Sequence, residues 1–549
     1  MKYPKNIIRN GAIIAILLLA LYTYNVQVPD LYFDEAIYHY QARVFVEEGT
    51  SLYDTAIWTP PLFNFTTSLS FSLFGISNLS TRFFTIIAGL FTVWITYLLA
   101  RLYFNRSTAT VAALLLAVSP IFVIHSRIAI FDVMLTLFSL LAIFAVEKYQ
   151  LKQKKQWLLY AALFFSLSFL TKFNAIIIWF FYWAFKIIYP LLKKDIKEFK
   201  ENVQQWAIIN AMSAIIIFLA VFITGGIGRV IAMAHNVVLQ FTIQSTQLEF
   251  PRLYHFGAFV DWLSPVVYPL FIISIAIFAL TWKKEKKGLY LMWFLTLTQL
   301  LLLTYLPRKA SRHFIPMIPF VMIVIAYHLY QARHVLSRDP IIAKKVWYGI
   351  ISLIIVTSLL FSLMQIDKVN RNTYWSDTAD FIESNYPNTT IIINQHDYWF
   401  LAEINDNPAI TPHFLDEKYI IPDIDQLVIT TFTQDAHATQ DHAPLDNDLT
   451  FFNRKKNTTS EEFITYLEKN GERVFTGYFG RQPAVTMYKI HTAPEKEPGI
   501  KISAPPPESK SFVLKAMWSL LCTAHRSNPL VVESLFTQTL AEPLRQKCG

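Results

Sequence analysis

The chain has 549 residues, 54% of them hydrophobic and 15% aromatic, with a formal net charge of +9 and a mean hydropathy of +0.36. This apolar content stands in long runs rather than short periodic faces, which excludes an ordinary soluble protein and indicates membrane spans. The basic residues form short clusters between those runs, the pattern of topology signals rather than of a nucleic-acid surface, and the two cysteines, Cys522 and Cys548, allow no disulfide framework or thiolate metal site in the main body.

The N-terminus carries Lys2, Lys5 and Arg9 before an apolar stretch. It lacks a small-x-small cleavage site and more spans follow, so an uncleaved anchor is expected. Runs of roughly 18–22 apolar residues place spans near 7–26, 82–104, 108–125, 130–148, 157–171, 174–191, 205–226, 262–281, 288–306, 313–331 and 345–365. The expected architecture is a polytopic α-helical membrane protein of about 11 to 13 transmembrane helices. With the N-terminus inside, five loops become cytoplasmic: Arg101–Arg106, Lys152–Lys155, Lys193–Lys200, Lys283–Lys287 and Arg333–Lys345. Each is rich in Lys or Arg, as the positive-inside rule requires. Charged residues are almost absent from mid-span, and the acids and histidines suited to chemistry gather on the outer side.

The first outer loop, 27–81, carries the adjacent acids Asp34 and Glu35. Asp34, Ile37, Tyr38 and Gln41 share one face of an amphipathic helix expected to lie along the membrane surface. Carboxylates there either cap the helix N-terminus or act in chemistry. Three further outward elements follow. Arg127 and Asp132 flank the tight turn after the third span, where they form either a salt bridge or part of a site. Thr171-Lys172-Phe173-Asn174 joins two apolar helices. Arg308-Lys309 and Arg312-His313-Phe314-Ile315-Pro316 open the tenth span. Lys172 and Arg312 are placed either to bind an anion or to snorkel to headgroups. His235 and His255 fall in the outer loop 227–261, as solvated histidines or, for His255, as a supporting group; no metal-ligand spacing is present and no metal is assigned.

Beyond 365, short apolar patches (Thr390–Ile393, Leu427–Thr431, Ala484–Ile490) alternate with helix-like stretches. This predicts a small extracytoplasmic α/β domain over 366–490, after a transmembrane domain over 1–365. Residues 491–549 are a Pro-, Glu- and Lys-rich linker and tail, expected to be poorly ordered.

The order of these elements resembles the C-type membrane glycosyltransferases, and within them the protein O-mannosyltransferase and aminoarabinose (lipid A) transferase superfamily. Asp34-Glu35 matches the acid pair of the first outer loop, and Thr59-Pro60-Pro61-Leu62 stands where that family has Lys-Pro-Pro-Leu. Arg127 and Asp132 match its Arg-x4-Asp turn, Thr171-Lys172 its Thr-Lys-Gly, and Arg312 through Pro316 its Arg-Tyr-x-x-Pro. Thr59, Phe173 and His313 depart from the pattern. The resemblance implies transfer of a sugar from a polyprenyl-phosphate donor to a protein, lipid or glycan acceptor at the outer face, with inversion. Asp34 would be the base, with Glu35 orienting it or helping to bind the acceptor. Arg127, Lys172 and Arg312 would stabilise the departing phosphate, with Arg308 and Lys309 behind them and Asp132, His255 and His313 in support.

The expected location is a prokaryotic plasma membrane, the expected partners are the donor, an acceptor and membrane lipids, and neither nucleic acid nor cofactor is assigned. Three rivals remain: a transporter or flippase, which needs titratable mid-span groups, a non-catalytic polyprenyl-phosphate binder, and an oligosaccharyltransferase-like enzyme. The last normally carries Trp-Trp-Asp in its outer domain, which Tyr398-Trp399-Phe400 does not supply.

Overall fold

The computed structural model describes residues 15–29, 31, 33–48, 61–244, 254–305, 311–336, 340–370, 374–386, 389–393, 426–431, 467–479 and 482–490. Its helices are α1 (15–23), α2 (Phe33–Glu48), α3 (Pro61–Phe74), α4 (Asn78–Tyr103), α5 (Arg106–Ala117), α6 (Pro120–Arg127), α7 (Phe131–Lys152) and α8 (Gln156–Thr171). There follow α9 (Ala175–Leu192), α10 (Ile196–Gln244), α11 (Tyr254–Leu263), α12 (Val267–Thr281), α13 (Lys287–Tyr305), a 3-10 turn at Ser311–Met317, α14 (Ile318–Leu336), α15 (Pro340–Asn370) and α16 (Tyr374–Asn385).

Every apolar run read from the sequence contains a helix. Among the described residues, six are long and apolar enough to cross a bilayer, and α5 with α6 makes a seventh, bent by 59°. Pro120 at the first turn of α6 accounts for the break, since proline starts a helix readily but cannot continue one. Helix α7 has the length but carries Asp132, Glu147, Lys148 and Lys152, while α8 and α12 have 16 and 15 residues. Local signals set the boundaries. Ser77 and Asn105 cap α4 and α5 by accepting from Ser80 N and Thr108 N, and Gln153 ends α7 in the left-handed region at φ 52°.

One continuous apolar core joins α1 and α4 to α9 with α11 to α15. The span at Arg312–Arg333 is 83% buried within the protein, against 17% for Ile196–Ile223 and 33% for Ile341–Asn370, so α14 is central while α10 and α15 turn to lipid. Gly89 lets α4 meet α6, because a Cβ there would lie 2.6 Å from Ser126 Oγ.

Three expectations change. The outer loop 227–261 is in part helix: α10 runs 49 residues without interruption to Gln244, and α11 begins at Tyr254. Helix α2 forms where its pattern placed it but is covered rather than open on its outer side. Tyr38 packs into the bundle core, while Ala36 packs with Ile382, Ile391, Leu427 and Ile429 of the outer layer, so α2 is enclosed from both sides. Charge is also present inside the spans. Lys186 of α9 donates to Glu147 of α7 at 3.1 Å and to Gln150 at 2.6 Å, Tyr182 donates to Glu147 at 2.7 Å, and Gln150 donates to Asn202 of α10 at 2.8 Å. This buried network fastens α7, α9 and α10 near their lysine-rich ends. Separation of Glu147 and Lys186 along two different helices hid it from a scan for charge within one span.

The outer layer contains α16 and a four-stranded sheet: β1 (Thr390–Ile393), β2 (Gln426–Thr431), β3 (Glu472–Phe479) and β4 (Gln482–Ile490), in the order β1-β2-β4-β3. β1 pairs with β2 in parallel and the other two pairings are antiparallel. Strand β3 has no apolar run of its own, since Val474 and Phe475 are followed by Thr476 and Gly477. The tail 491–549 lies outside the described residues, as do Asn388 and Asn457, each of which opens an Asn-Thr-Thr glycosylation sequon.

Candidate active site

The acid-bearing end of α2 is fixed by an ion pair. Arg82 of α4 donates from Nε to Glu35 Oε1 and from Nη2 to Oε2, both at 2.8 Å, and the two side chains are 1% and 0% exposed. A third bond runs from Arg82 Nη1 to the Val26 carbonyl, and the Ala129 N–H donates to Glu35 Oε1. Two-pronged charge-assisted bonding offsets the cost of removing both charges from water. Glu35 therefore ties α2, α4 and the α6–α7 connection together. Of the two roles expected of Glu35, orienting Asp34 or helping to bind an acceptor, these bonds favour positioning.

Around the corner lies a second pair. Lys172 Nζ donates to Asp132 Oδ1 at 2.7 Å, with the side chains 8% and 1% exposed, and the ammonium sits 4.6 Å from the Phe131 ring centroid. Helix ends favour this arrangement. Asp132 is in the first turn of α7, where the dipole is positive, and Lys172 is the C-terminal cap of α8, where it is negative. Lys172 is thus buried and paired, and of the two readings left open for Asp132, a salt bridge to Arg127 or part of a site, its partner in the structure is Lys172.

Aromatic contacts join the two pairs. Tyr38 packs on Phe131 at 5.2 Å between centroids and on Phe63 at 5.3 Å. Position 34 of α2 adjoins Glu35 and stands one turn before Tyr38, so the backbone there is held against the segment that begins α7. The Asp34 side chain lies outside the described residues.

Asp132 also lines a partly open cleft between α7, α9, α13 and the 3-10 turn. Asn174, Gln299 and His313 supply its other polar groups, and aliphatic residues such as Leu135, Ile178 and Leu303 the rest. Arg312, next to His313, is 7% exposed and so packed within the protein. A mixed wall beside a lysine and an arginine suits an amphiphile with an anionic head.

Arg127 belongs elsewhere. Its guanidinium donates to the carbonyls of Leu21 (2.9 Å), Tyr22 (3.2 Å) and Tyr24 (2.6 Å) and to Asn370 Oδ1 (3.3 Å). It closes the C-terminus of α1 and lines a separate, smaller cavity with Arg82. This corrects its placement with the phosphate cations, for the physical reason that orphan helix carbonyls and the negative end of a dipole attract it. Arg308, Lys309, Thr59 and the side chains of His235 and His255 lie outside the described residues. Among the described residues no group of three or more His, Cys, Asp or Glu side chains is placed to hold a metal ion. Two residues the sequence reading passed over matter here. Arg82 had a signal, an arginine inside an apolar run, while Gln299 had only its polarity in a run of leucines.

Residues 59–239 match the family model described as dolichyl-phosphate-mannose-protein mannosyltransferase. Two solved structures share the architecture across almost their whole length or most of it. ArnT from Cupriavidus metallidurans, bound to undecaprenyl phosphate, superposes with a TM-score of 0.58 at 12% identity, over 89% of this chain and 98% of that one. The oligosaccharyltransferase of Archaeoglobus fulgidus in its apo form gives a TM-score of 0.57 at 12% identity, over 77% and 69%. The chain has the C-type membrane glycosyltransferase fold. Within that fold, the resemblance read from the motifs holds for the arrangement of helices and for the matched segment. An uncharacterised protein of Aquifex aeolicus is 33% identical over 168 residues, 29% of this chain, and the match spans about a third (34%) of that relative's length.

Proposed function

We propose that this protein transfers a sugar from a polyprenyl-phosphate-linked donor to an acceptor at the extracytoplasmic face, with inversion at the anomeric carbon. The observation that carries the reading is the Asp132–Lys172 pair, whose acid lines a cleft with mixed polar and aliphatic walls and which is joined through Phe131 and Tyr38 to the acid-bearing end of α2. The family match and the likeness to a structure titled as bound to undecaprenyl phosphate support the donor class.

In this mechanism an acceptor hydroxyl attacks the anomeric carbon as the bond to the phosphate oxygen breaks. Asp34 takes the hydroxyl proton, and the bonding electrons leave with the lipid phosphate, which needs no protonation. Lys172 and Arg312 stabilise the charge that gathers there. Asp132 aims the lysine, and Glu35 holds α2 in place through Arg82. Asp34→Asn keeps the shape but removes the base. It should lower transfer by roughly 10²–10⁴-fold while polyprenyl-phosphate binding and the thermal melt stay near wild type. Full turnover by the variant, measured as sugar release from a synthetic donor, would sink the proposal.

The carrier reading would need a titratable pair along a path across the membrane. Glu147 and Lys186 are the nearest approach to one, but their bonds to Tyr182 and Gln150 suit a structural clamp better. Facing of the site outward rests on the five basic loops. With Cys522 and Cys548 replaced by serine, a cysteine at position 50 should react with an impermeant reagent in intact cells and one at position 154 should not. The reverse labelling pattern would put the carboxylates in the cytoplasm and end the argument.

A further inference from the structure

A glutamine in the middle of an apolar helix usually ties that helix to another, as Gln150 ties α7 to α10. Gln299 does not. It is 4% exposed within α13, and its side-chain amide donates to the Leu295 carbonyl, one turn back on its own helix, at 3.0 Å. Among the described residues it makes no hydrogen bond to another helix. Leucine would suit the apolar helix better than an amide whose described bond stays within its own helix. Its place in the fold supplies the reason for keeping it, since Gln299 lines the cleft that Asp132 lines. Asn174 lines the same cleft, at the turn between α8 and α9, and none of the described hydrogen bonds uses its side-chain amide.

We propose that Gln299, together with Asn174, reads the hydroxyl pattern of the donor sugar. This rests on the glycosyl-transfer reading and adds to it the residues that select the sugar. An amide offers one acceptor and two donors in fixed directions, which fits a ring of hydroxyls. Asp132 lines the same cleft and accepts from Lys172, so the two amides share a cavity with the acid that holds the phosphate-binding lysine of the transfer reading. The aliphatic walls accept the C–H face of the ring. A site built on such bonds rejects an epimer because a displaced hydroxyl leaves a buried amide unpaired.

The test is competition binding. Purified protein is loaded with undecaprenyl phosphate, which is then displaced by undecaprenyl-phosphate monosaccharides that differ at single hydroxyls. Wild type should rank the epimers. Gln299→Leu should bind bare undecaprenyl phosphate as before and compress that ranking by roughly three- to tenfold, the scale of one neutral hydrogen bond. Its thermal melt should be unchanged or higher, and Asn174→Ala gives a second reading should the leucine variant fold poorly. A variant pair that keeps the wild-type ranking, or a wild type with no preference among epimers, would overturn the sugar-reading role alone. Wild type that does not bind undecaprenyl phosphate at all would overturn the transfer reading and this proposal with it.

Discussion

Two buried acid–base pairs flank the base of α2, and they do opposite things. Glu35–Arg82 is closed: both oxygens meet the guanidinium, a backbone N–H joins them, and the arginine also holds the Val26 carbonyl. In Asp132–Lys172 the ammonium donates to Asp132 Oδ1, and this acid lines a cleft. The chemistry of the partners is alike. What separates a fastening from a site is the cavity beside each pair: the one at Arg82 is smaller and, apart from Arg127, apolar, whereas the cleft at Asp132 also carries Asn174, Gln299 and His313. Arg127 makes the same point with a cation, since helix carbonyls occupy it away from the cleft.

The contrast can be broken most severely at Arg82. Arg82→Met leaves Glu35 buried without its cation and should cost about 3–5 kcal/mol, seen as a large fall in the thermal melt and loss of activity. The double variant Glu35→Gln with Arg82→Met should recover part of that loss, because the stranded charge is gone. A single variant that melts like wild type would remove the fastening role.

Lys172 should respond differently. Lys172→Met takes away one charge-assisted contact to the phosphate and should raise the apparent KM for the donor by roughly ten- to a hundredfold. Arg127→Met sharpens the comparison. It should lower stability through the end of α1 while the donor KM stays put. Equal KM changes in the two variants would mean that Arg127 reaches the donor after all, and no change in either would return both to structural roles.

Much of this was legible before any coordinates. Asp34-Glu35, Asp132, Lys172 and Arg312 were picked out because charge beside a bilayer is rare, and the positive clusters gave a consistent order of loops. Asn174 was visible only as part of a turn. Gln299 was not singled out, since a neutral amide in an apolar run carries no topology signal. The four polar residues of the cleft lie between positions 132 and 313 of the chain, and nothing local says that they meet.

The sequence by itself determined where helices form and the motif order that marks the C-type fold, because hydropathy, capping and proline act over a few residues at a time. Only the tertiary structure decided which carboxylate is locked and which lines a cleft. It also enclosed α2 between the bundle and the outer sheet, moved Arg127 from the phosphate group to the end of α1, and paired Lys172 with Asp132 in its stead. Each of these depends on which helix ends meet, and that is set by packing among residues far apart in the chain, to which the composition of any one segment is blind.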